Sequence, residues 1–466
     1  MTTVDTWQLR AGFARRLSHL YAAEVPAYAT LLKVSGEVNA DVLRRHGSDA
    51  ERLGSISRVT AERHGAIRVG TPRELAQLAS IFAALGMRPV GFYDLRDAAP
   101  APIPVVSTAF RPTDAAELAR NPFRVFVSLL VPEDRRFFSE DLAARLTGFL
   151  DSRHLFPPEL LLLAERAERE GGLPSEHAER FLELAVAAFA LSREPVDLAW
   201  YTELEEVSSV AADIGGVTTT HINHLTPRVL DIDELYRRMA AGGIEMIGSI
   251  QGPPRWDGPD ILLRQTSFRA LAEPRRFLNA DGTVREGALR VRFGEVEARG
   301  VAPTPAGLSC YNRLLALADA ESAHAPGGNR QQVLREVWRE HLPDTERGLI
   351  ERDLAYFTFR VSADRPRRAK PPRTLLGLLD GGWITAEPIV YEDFLPRSAA
   401  GIFASNLGGR GSTVPGGDSA PRDRAWMEQA ISRPIQDPAA LYAAQRAASL
   451  VRVARDLDLG EVELPG

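Results

Sequence analysis

One pattern in this chain repeats at a constant spacing, and it limits the possible fold more than any other feature. His64, Arg68, Val69, Glu74 and Leu75 recur as His224, Arg228, Val229, Glu234 and Leu235, each 160 residues further on. Beyond them, Ala83-Ala84-Leu85-Gly86-Met87 matches Ala240-Ala241-Gly242-Gly243-Ile244 once three residues are deleted, close to one helical turn. A His, an Arg and a helix start in register, closing on the same glycine, mark a duplicated supersecondary unit. The first copy reads β-α-β. A strand-like run over 64–69 leads to a helix opened by Thr71-Pro72 and closed at Gly86, and an apolar strand over 89–93 follows. The second copy has strand texture over 216–225 and at Val229, then a helix over 233–241.

Around these units the reading is mainly helical. Ala and Leu recur at helical spacing through 7–55, and 138–149, 158–169 and 175–191 each carry an apolar stripe opposite charged residues. Further strands are expected over 261–263 and 289–297, the latter with Val291, Phe293, Glu295 and Glu297 on one side. Amphipathic helices follow over 331–341 and 439–457, and 408–417 is a Gly-rich loop. The expected architecture is α+β, a single elaborated domain over 1–466. Within it lie a first unit at 60–110, a helical insertion at 114–200, a second unit at 216–300, and a helical or irregular region at 301–466 that completes the site.

Duplicated units related by a pseudo-twofold axis bring equivalent residues together, so His64 and His224 are expected to converge. Two neutral imidazoles and one carboxylate form the facial set that binds a divalent metal and leaves open positions. The carboxylate is sought on a neighbouring strand, where Glu295 and Glu297 share a face and periodicity does not choose between them. Arg68 leaves the same strand face as His64, which suits a guanidinium gripping a substrate carboxylate. His221, three positions before His224, falls on the opposite face of a regular strand and reads as a supporting residue. His19, His46, His154, His177, His324 and His341 sit on polar, mostly helical stretches.

Composition removes other classes of function. A net charge of -6 argues against non-specific nucleic-acid binding. The one cysteine, Cys310, excludes an internal disulfide and thiolate-rich metal sites, and reads as a buried small hydrophobe. The most apolar stretches, 160–164 and 182–191, fall short of the roughly 20 residues of a membrane span, and no signal peptide is visible. A cytoplasmic protein without membrane or nucleic-acid partners is expected.

Five segments carry a resemblance. His64-Gly-Ala-Ile-Arg68, Asn223-His224-Leu-Thr-Pro-Arg228, Leu263-Arg-Gln-Thr-Ser-Phe268, Arg292-Phe-Gly-Glu-Val-Glu297, and Glu392-Asp-Phe-Leu-Pro396 followed by Ser398-Ala-Ala-Gly-Ile-Phe403 resemble the 2-oxoadipate dioxygenase/decarboxylase family, in order along nearly the whole chain. That family is a helix-elaborated branch of the vicinal oxygen chelate fold. The resemblance implies two such modules forming a curved mixed sheet around a metal cleft. It further implies an iron(II) enzyme of lysine breakdown that converts 2-oxoadipate and dioxygen to 2-hydroxyglutarate and carbon dioxide. Carried over by motif, His64 and His224 match the metal histidines. Glu295, four residues before the strand-ending Arg299, matches the metal carboxylate, with Glu297 the alternative. Arg68 matches the arginine that holds a substrate carboxylate, and Gln265, Arg397 and Ser398 complete the expected substrate contacts. Arg397 stands where the family pattern has valine. Two other readings use the same fold: a metal-dependent isomerase or lyase, and a small-ligand-binding protein without turnover.

Overall fold

The computed structural model describes residues 3–98, 102–290, 292–324, 330–395 and 418–465. The chain runs β1 (Thr3–Asp5), α1 (Thr6–Glu24), α2 (Pro26–His46) and α3 (Ile56–Ala61) into β2 (Arg63–Val69), α4 (Pro72–Ala84), β3 (Arg88–Asp94), β4 (Val105–Arg111), α5 (Ala115–Arg120) and β5 (Arg124–Leu130). A mainly helical stretch follows: α6 (Glu140–Ser152), α7 (Pro158–Glu170), β6 (Gly172–Pro174), α8 (Ser175–Ala187), β7 (Val196–Asp197), α9 (Leu198–Val207) and α10 (Ser209–Gly215). Next come β8 (Ile222–Pro227), α11 (Ile232–Ala241), β9 (Leu263–Ser267), β10 (Glu273–Leu278), β11 (Val284–Leu289) and β12 (Glu295–Arg299). The last part holds α12 (Pro305–His324), α13 (Arg330–His341), α14 (Glu346–Glu351), β13 (Phe357–Val361), α15 (Leu375–Asp380), β14 (Ile384–Pro388), α16 (Arg424–Ile431) and α17 (Pro438–Asp456). The fold is mixed, with several small sheets and many helices. Among the described residues no helix is long and apolar enough to cross a membrane.

The central sheet has the order β3-β4-β5-β2-β8, with β2 and β5 parallel and the other neighbours antiparallel. On the far side of β8 the pattern continues. Arg228 bridges Glu297 in parallel sense, β12 pairs with β9 antiparallel, and Gln265 and Phe268 bridge Gln251 and Met246 antiparallel. From the β2–β8 seam outward, both sides thus run parallel, antiparallel, antiparallel. The helices that follow the two seam strands also start and stop alike. Thr71 caps α4 by accepting from the Glu74 amide, and Asp231 caps α11 by accepting from the Glu234 amide. Both end on a left-handed glycine, Gly86 at φ 69° and Gly243 at φ 78°, where a side chain would strain the backbone. The next amide in each case reaches back to the last turn, Met87 to Phe82 and Ile244 to Met239.

Three local expectations are corrected. Strand β5 lies inside the 114–200 stretch expected to be helical, and it pairs with β2 at the middle of the sheet. It is buried at every position, so Arg124-Val-Phe-Val-Ser-Leu-Leu130 shows no polar–apolar alternation to betray a strand. The strand expected over 289–297 is two elements. β11 ends at Leu289 and β12 begins at Glu295, after Gly294, where a Cβ would meet the Phe268 ring. The region 301–466 is not only helical or irregular, since β13 and β14 form an antiparallel pair. The Gly-rich loop expected at 408–417 lies outside the described residues.

Two apolar cores result. One collects α1, α2, α4 and the central sheet; the other collects α12, α13, β13, β14 and α17. Between the sheet and the C-terminal part lies a buried net of charge. Arg124 on β5 contacts Glu62, Glu297 and Glu392; Arg228 contacts Glu62 at 3.0 Å; Arg58 contacts Glu392. Arg111 grips Asp393 through Nε and Nη2 at 2.8 and 3.0 Å. Burial pushes the Glu62 carboxyl up, but Arg124 and Arg228 outweigh it and hold it at about 2. Glu62→Gln keeps the shape and removes the charge, leaving two buried guanidinium groups short of a partner. A loss of about 3–5 kcal/mol in urea unfolding is expected. The exposed Glu159, paired with Arg180, should lose far less in the same exchange, because water screens the pair. Equal effects of the two would contradict this account of the net.

Candidate metal centre

The site is set by the seam of β2 and β8. Their antiparallel register opposes His64 to Thr226 and Ala66 to His224, so His64, Ala66, His224 and Thr226 share one face and the two histidines are diagonal neighbours. Their rings lie 5.5 Å apart, edge to face. Glu295 enters from β12, which the Arg228–Glu297 bridge holds against the end of β8. Its Oε2 is 3.5 Å from His64 Nε2 and 3.6 Å from His224 Nδ1. One nitrogen from each ring and one carboxylate oxygen lie within 4.8 Å of one another, and all three residues are buried. The set fits a divalent metal ion in ligand type and spacing.

Glu297 stands on the same face as Glu295, in different surroundings. Its Oε2 is 3.1 Å from His64 Nδ1, a charge contact. Its two oxygens are gripped by Arg299 at 2.7 and 2.8 Å, and Oε1 also meets Arg124 at 3.1 Å. Burial pushes this carboxyl up, but Arg299 and His64, with Arg124, hold it well below the usual carboxylate range. A fixed anion behind Nδ1 orients the His64 ring and leaves Nε2 for the metal side. Burial lowers the His64 imidazole, yet the two glutamates outweigh it and raise it above its ordinary value. Burial dominates at His224, holding it at about 4 despite Glu295, with His64 and Arg68 acting in the same direction.

Apolar rings frame the pair. Phe293 stacks on His224 at 5.4 Å and 9°, and Phe394 meets the His64 ring at 4.9 Å and 90° while also touching Phe126. Phe394 belongs to the C-terminal part, whose chain is tied in by Arg299 donating to the Tyr391 and Asp393 carbonyls at 2.9 and 2.8 Å.

The structure brings together His64, His224 and Glu295. It places Arg68 further along the same face of β2, across from Ser128 on β5, with its Nη1 on the Asp213 carboxylate. Gln265 pairs with Glu297 across β9 and β12, on the face that carries the two glutamates. Arg397 and Ser398 lie outside the described residues. His221 departs from expectation. The β2–β8 register shifts between Ala66, opposite His224, and Ile67, opposite Ile222, so Asn223 is an extra residue in a bulge. Counting through the bulge sets His221 on the Arg68 side, where its Nε2 is 3.3 Å from Asp213 Oδ1. His19, His46, His154 and His177 are exposed, and Cys310 is buried. Sequence reasoning missed Asp213, Arg124 and Glu62, which carry no local signal. Phe394 lay in one of the segments that carried the resemblance, without a role.

The family model for 2-oxoadipate dioxygenase/decarboxylase matches residues 13–406. A Mycobacterium tuberculosis 2-oxoadipate dioxygenase/decarboxylase is 56% identical over 439 residues, 94% of this chain and 96% of that protein. The Pseudomonas putida protein of the same name is 41% identical over 465 residues, 97% of this chain and 98% of its own length. The crystal structure of the hydroxyglutarate synthase in complex with 2-oxoadipate from Pseudomonas putida superposes with a TM-score of 0.85 at 39% identity, covering 98% of this chain and 99% of that one.

Titrating the metal-free protein with Mn(II) separates the two glutamates. His224→Ala and Glu295→Gln should each abolish the tight site. Glu297→Gln should keep it, at about 10–100-fold lower affinity. Loss of the site in Glu297→Gln with retention in Glu295→Gln would reverse the assignment.

Proposed function

The chain belongs to the 2-oxoadipate dioxygenase/decarboxylase family, and on that premise we propose that it converts 2-oxoadipate and dioxygen to 2-hydroxyglutarate and carbon dioxide, a step of lysine breakdown, with iron(II) held by His64, His224 and Glu295. The carrying observation is the buried two-histidine, one-carboxylate set with Arg68 four residues along the same strand face from His64. The atoms balance: the six carbons of the oxo acid leave as five in the hydroxy acid and one in carbon dioxide, with both atoms of dioxygen retained.

His64, His224 and Glu295 supply three donors, which leaves positions for the substrate and dioxygen. When bound there, iron(II) supplies electrons to dioxygen and a Lewis-acidic seat for the 2-oxo acid group. Glu297 keeps the His64 ring turned and its Nδ1 engaged, so Nε2 stays the donor. Arg68 receives the carboxylate at the far end of the substrate and sets the reacting carbon relative to the donors, a positioning role. Phe293 and Phe394 keep water off the two imidazoles. Gln265, Arg397 and Ser398 complete the substrate contacts in this reading.

We further read the two sides of the β2–β8 seam as duplicated modules of the vicinal oxygen chelate type, at 60–110 and 216–300, around a pseudo-twofold axis. The matching strand senses, helix caps and closing glycines support this. In this reading β5 adds a strand to the first module, and the region 301–466 completes the site through Phe394. A cytoplasmic location fits the single cysteine.

Oxygen uptake by the iron(II)-reconstituted protein tests the proposal, with 2-oxoglutarate as the comparison substrate. Uptake with 2-oxoadipate, matched mole for mole by 2-hydroxyglutarate and abolished in His224→Ala, is expected. No uptake with either acid in protein carrying one iron per chain would overturn it in favour of a metal-dependent isomerase or lyase.

A further inference from the structure

Helix α10, Ser-Val-Ala-Ala-Asp-Ile-Gly, is buried from Val210 to its end and mostly apolar, with a carboxylate within it. A lone buried acid is costly unless it is paired and hydrogen-bonded. Asp213 is 4% exposed, and its partners come from both seam strands. Arg68 Nη1 of β2 and the Asn223 amide of β8 both donate to Oδ2, the latter at 2.8 Å. His221 Nε2 lies 3.3 Å from Oδ1 and 3.1 Å from the Asn223 amide nitrogen. The β8 bulge is what turns Asn223 and His221 to this side. Thr220 adds a bond from its hydroxyl to the Arg68 carbonyl at 2.7 Å. Four consecutive residues, Thr220 to Asn223, thus supply three polar groups that converge on Arg68 and its counter-ion.

We propose that Asp213 is a positioning residue for substrate recognition: held by Asn223 and His221, it fixes the Arg68 guanidinium in the orientation that accepts the far carboxylate of a 2-oxo dicarboxylic acid. This rests on the reading of Arg68 given above and deepens it. A long arginine free to turn would lose rotamer entropy on each binding event, whereas one anchored through Nη1 is already placed. Asp213 touches neither the metal donors nor, in this reading, the substrate, so it acts through Arg68 alone. Its influence should therefore be felt only by substrates that carry the second carboxylate.

The test compares 2-oxoadipate with 2-oxohexanoate, which has the same carbon count and a methyl group in place of the far carboxylate. Both are assayed on iron(II)-loaded wild type, Asp213→Asn, Asp213→Glu and Arg68→Ala. For Asp213→Asn we expect KM for 2-oxoadipate to rise about ten- to a hundredfold with a much smaller change in kcat. Its kcat/KM for 2-oxohexanoate should stay within about twofold of wild type. Asp213→Glu, which keeps the charge, should recover part of the KM. Equal loss on both substrates, or a fall in kcat with KM unchanged, would make Asp213 a structural residue and overturn the proposal, as would wild-type behaviour on both. A failure of the Arg68 reading looks different. Wild type would then use the two acids equally well, or Arg68→Ala would affect them equally, and the proposal would fall with it.

Discussion

The neutralisation of guanidinium groups away from water is the constraint on which the rest of this molecule depends. Arg124, Arg228 and Arg299 are each almost fully buried, and none is tolerable there without a carboxylate. Glu62, Glu297 and Glu392 supply the counter-charge, and each comes from a different part of the chain: the segment entering β2, strand β12, and the C-terminal part. The net therefore fixes where β12 lies against the seam and where the C-terminal chain crosses it. Glu297 is the member that faces the metal donors. Its charge is set by Arg299 and Arg124 on one side and used to hold His64 on the other. The first apolar core alone would leave that orientation open, because apolar packing has no direction.

If the two sides of the seam are read as duplicated modules, they differ at one matched pair of arginines. Arg68 and Arg228 occupy matching places in the repeat, yet Arg68 turns to Asp213 and Arg228 to Glu62. One thus lies with Asp213 on the side proposed to meet the substrate, and the other lies in the supporting net. The β8 bulge produces much of this difference. By inserting Asn223 it carries the residues before it onto the Arg68 side, with no counterpart on β2.

What the sequence made legible follows from which constraints are local. A repeat, two helix caps, two closing glycines and the strand positions of His64 and His224 are all written within a few residues, and they point to two of the three side chains that the structure brings together. The choice between Glu295 and Glu297 was not local, because both share a strand face. It depends on Arg124 and Arg299, and only Arg299 is near in sequence. Strand β5 went unrecognised inside the insertion expected to be helical, because a strand buried on both faces loses its alternation, and alternation was the signal being sought. His221 was placed on the wrong face because the count assumed a regular strand. Asp213 had no signal at all: its meaning comes from Arg68, 145 residues earlier in the chain.

The central claim is that Glu295 binds the metal while Glu297 orients His64. A crystal structure of the anaerobic iron(II) protein with 2-oxoadipate, with anomalous scattering at the iron edge, tests it most directly. The account predicts one iron peak ligated by His64, His224 and Glu295, with Glu297 still on Arg299 and the far carboxylate of the substrate on Arg68. Iron ligated by Glu297, or a substrate whose second carboxylate lies away from Arg68, would contradict it.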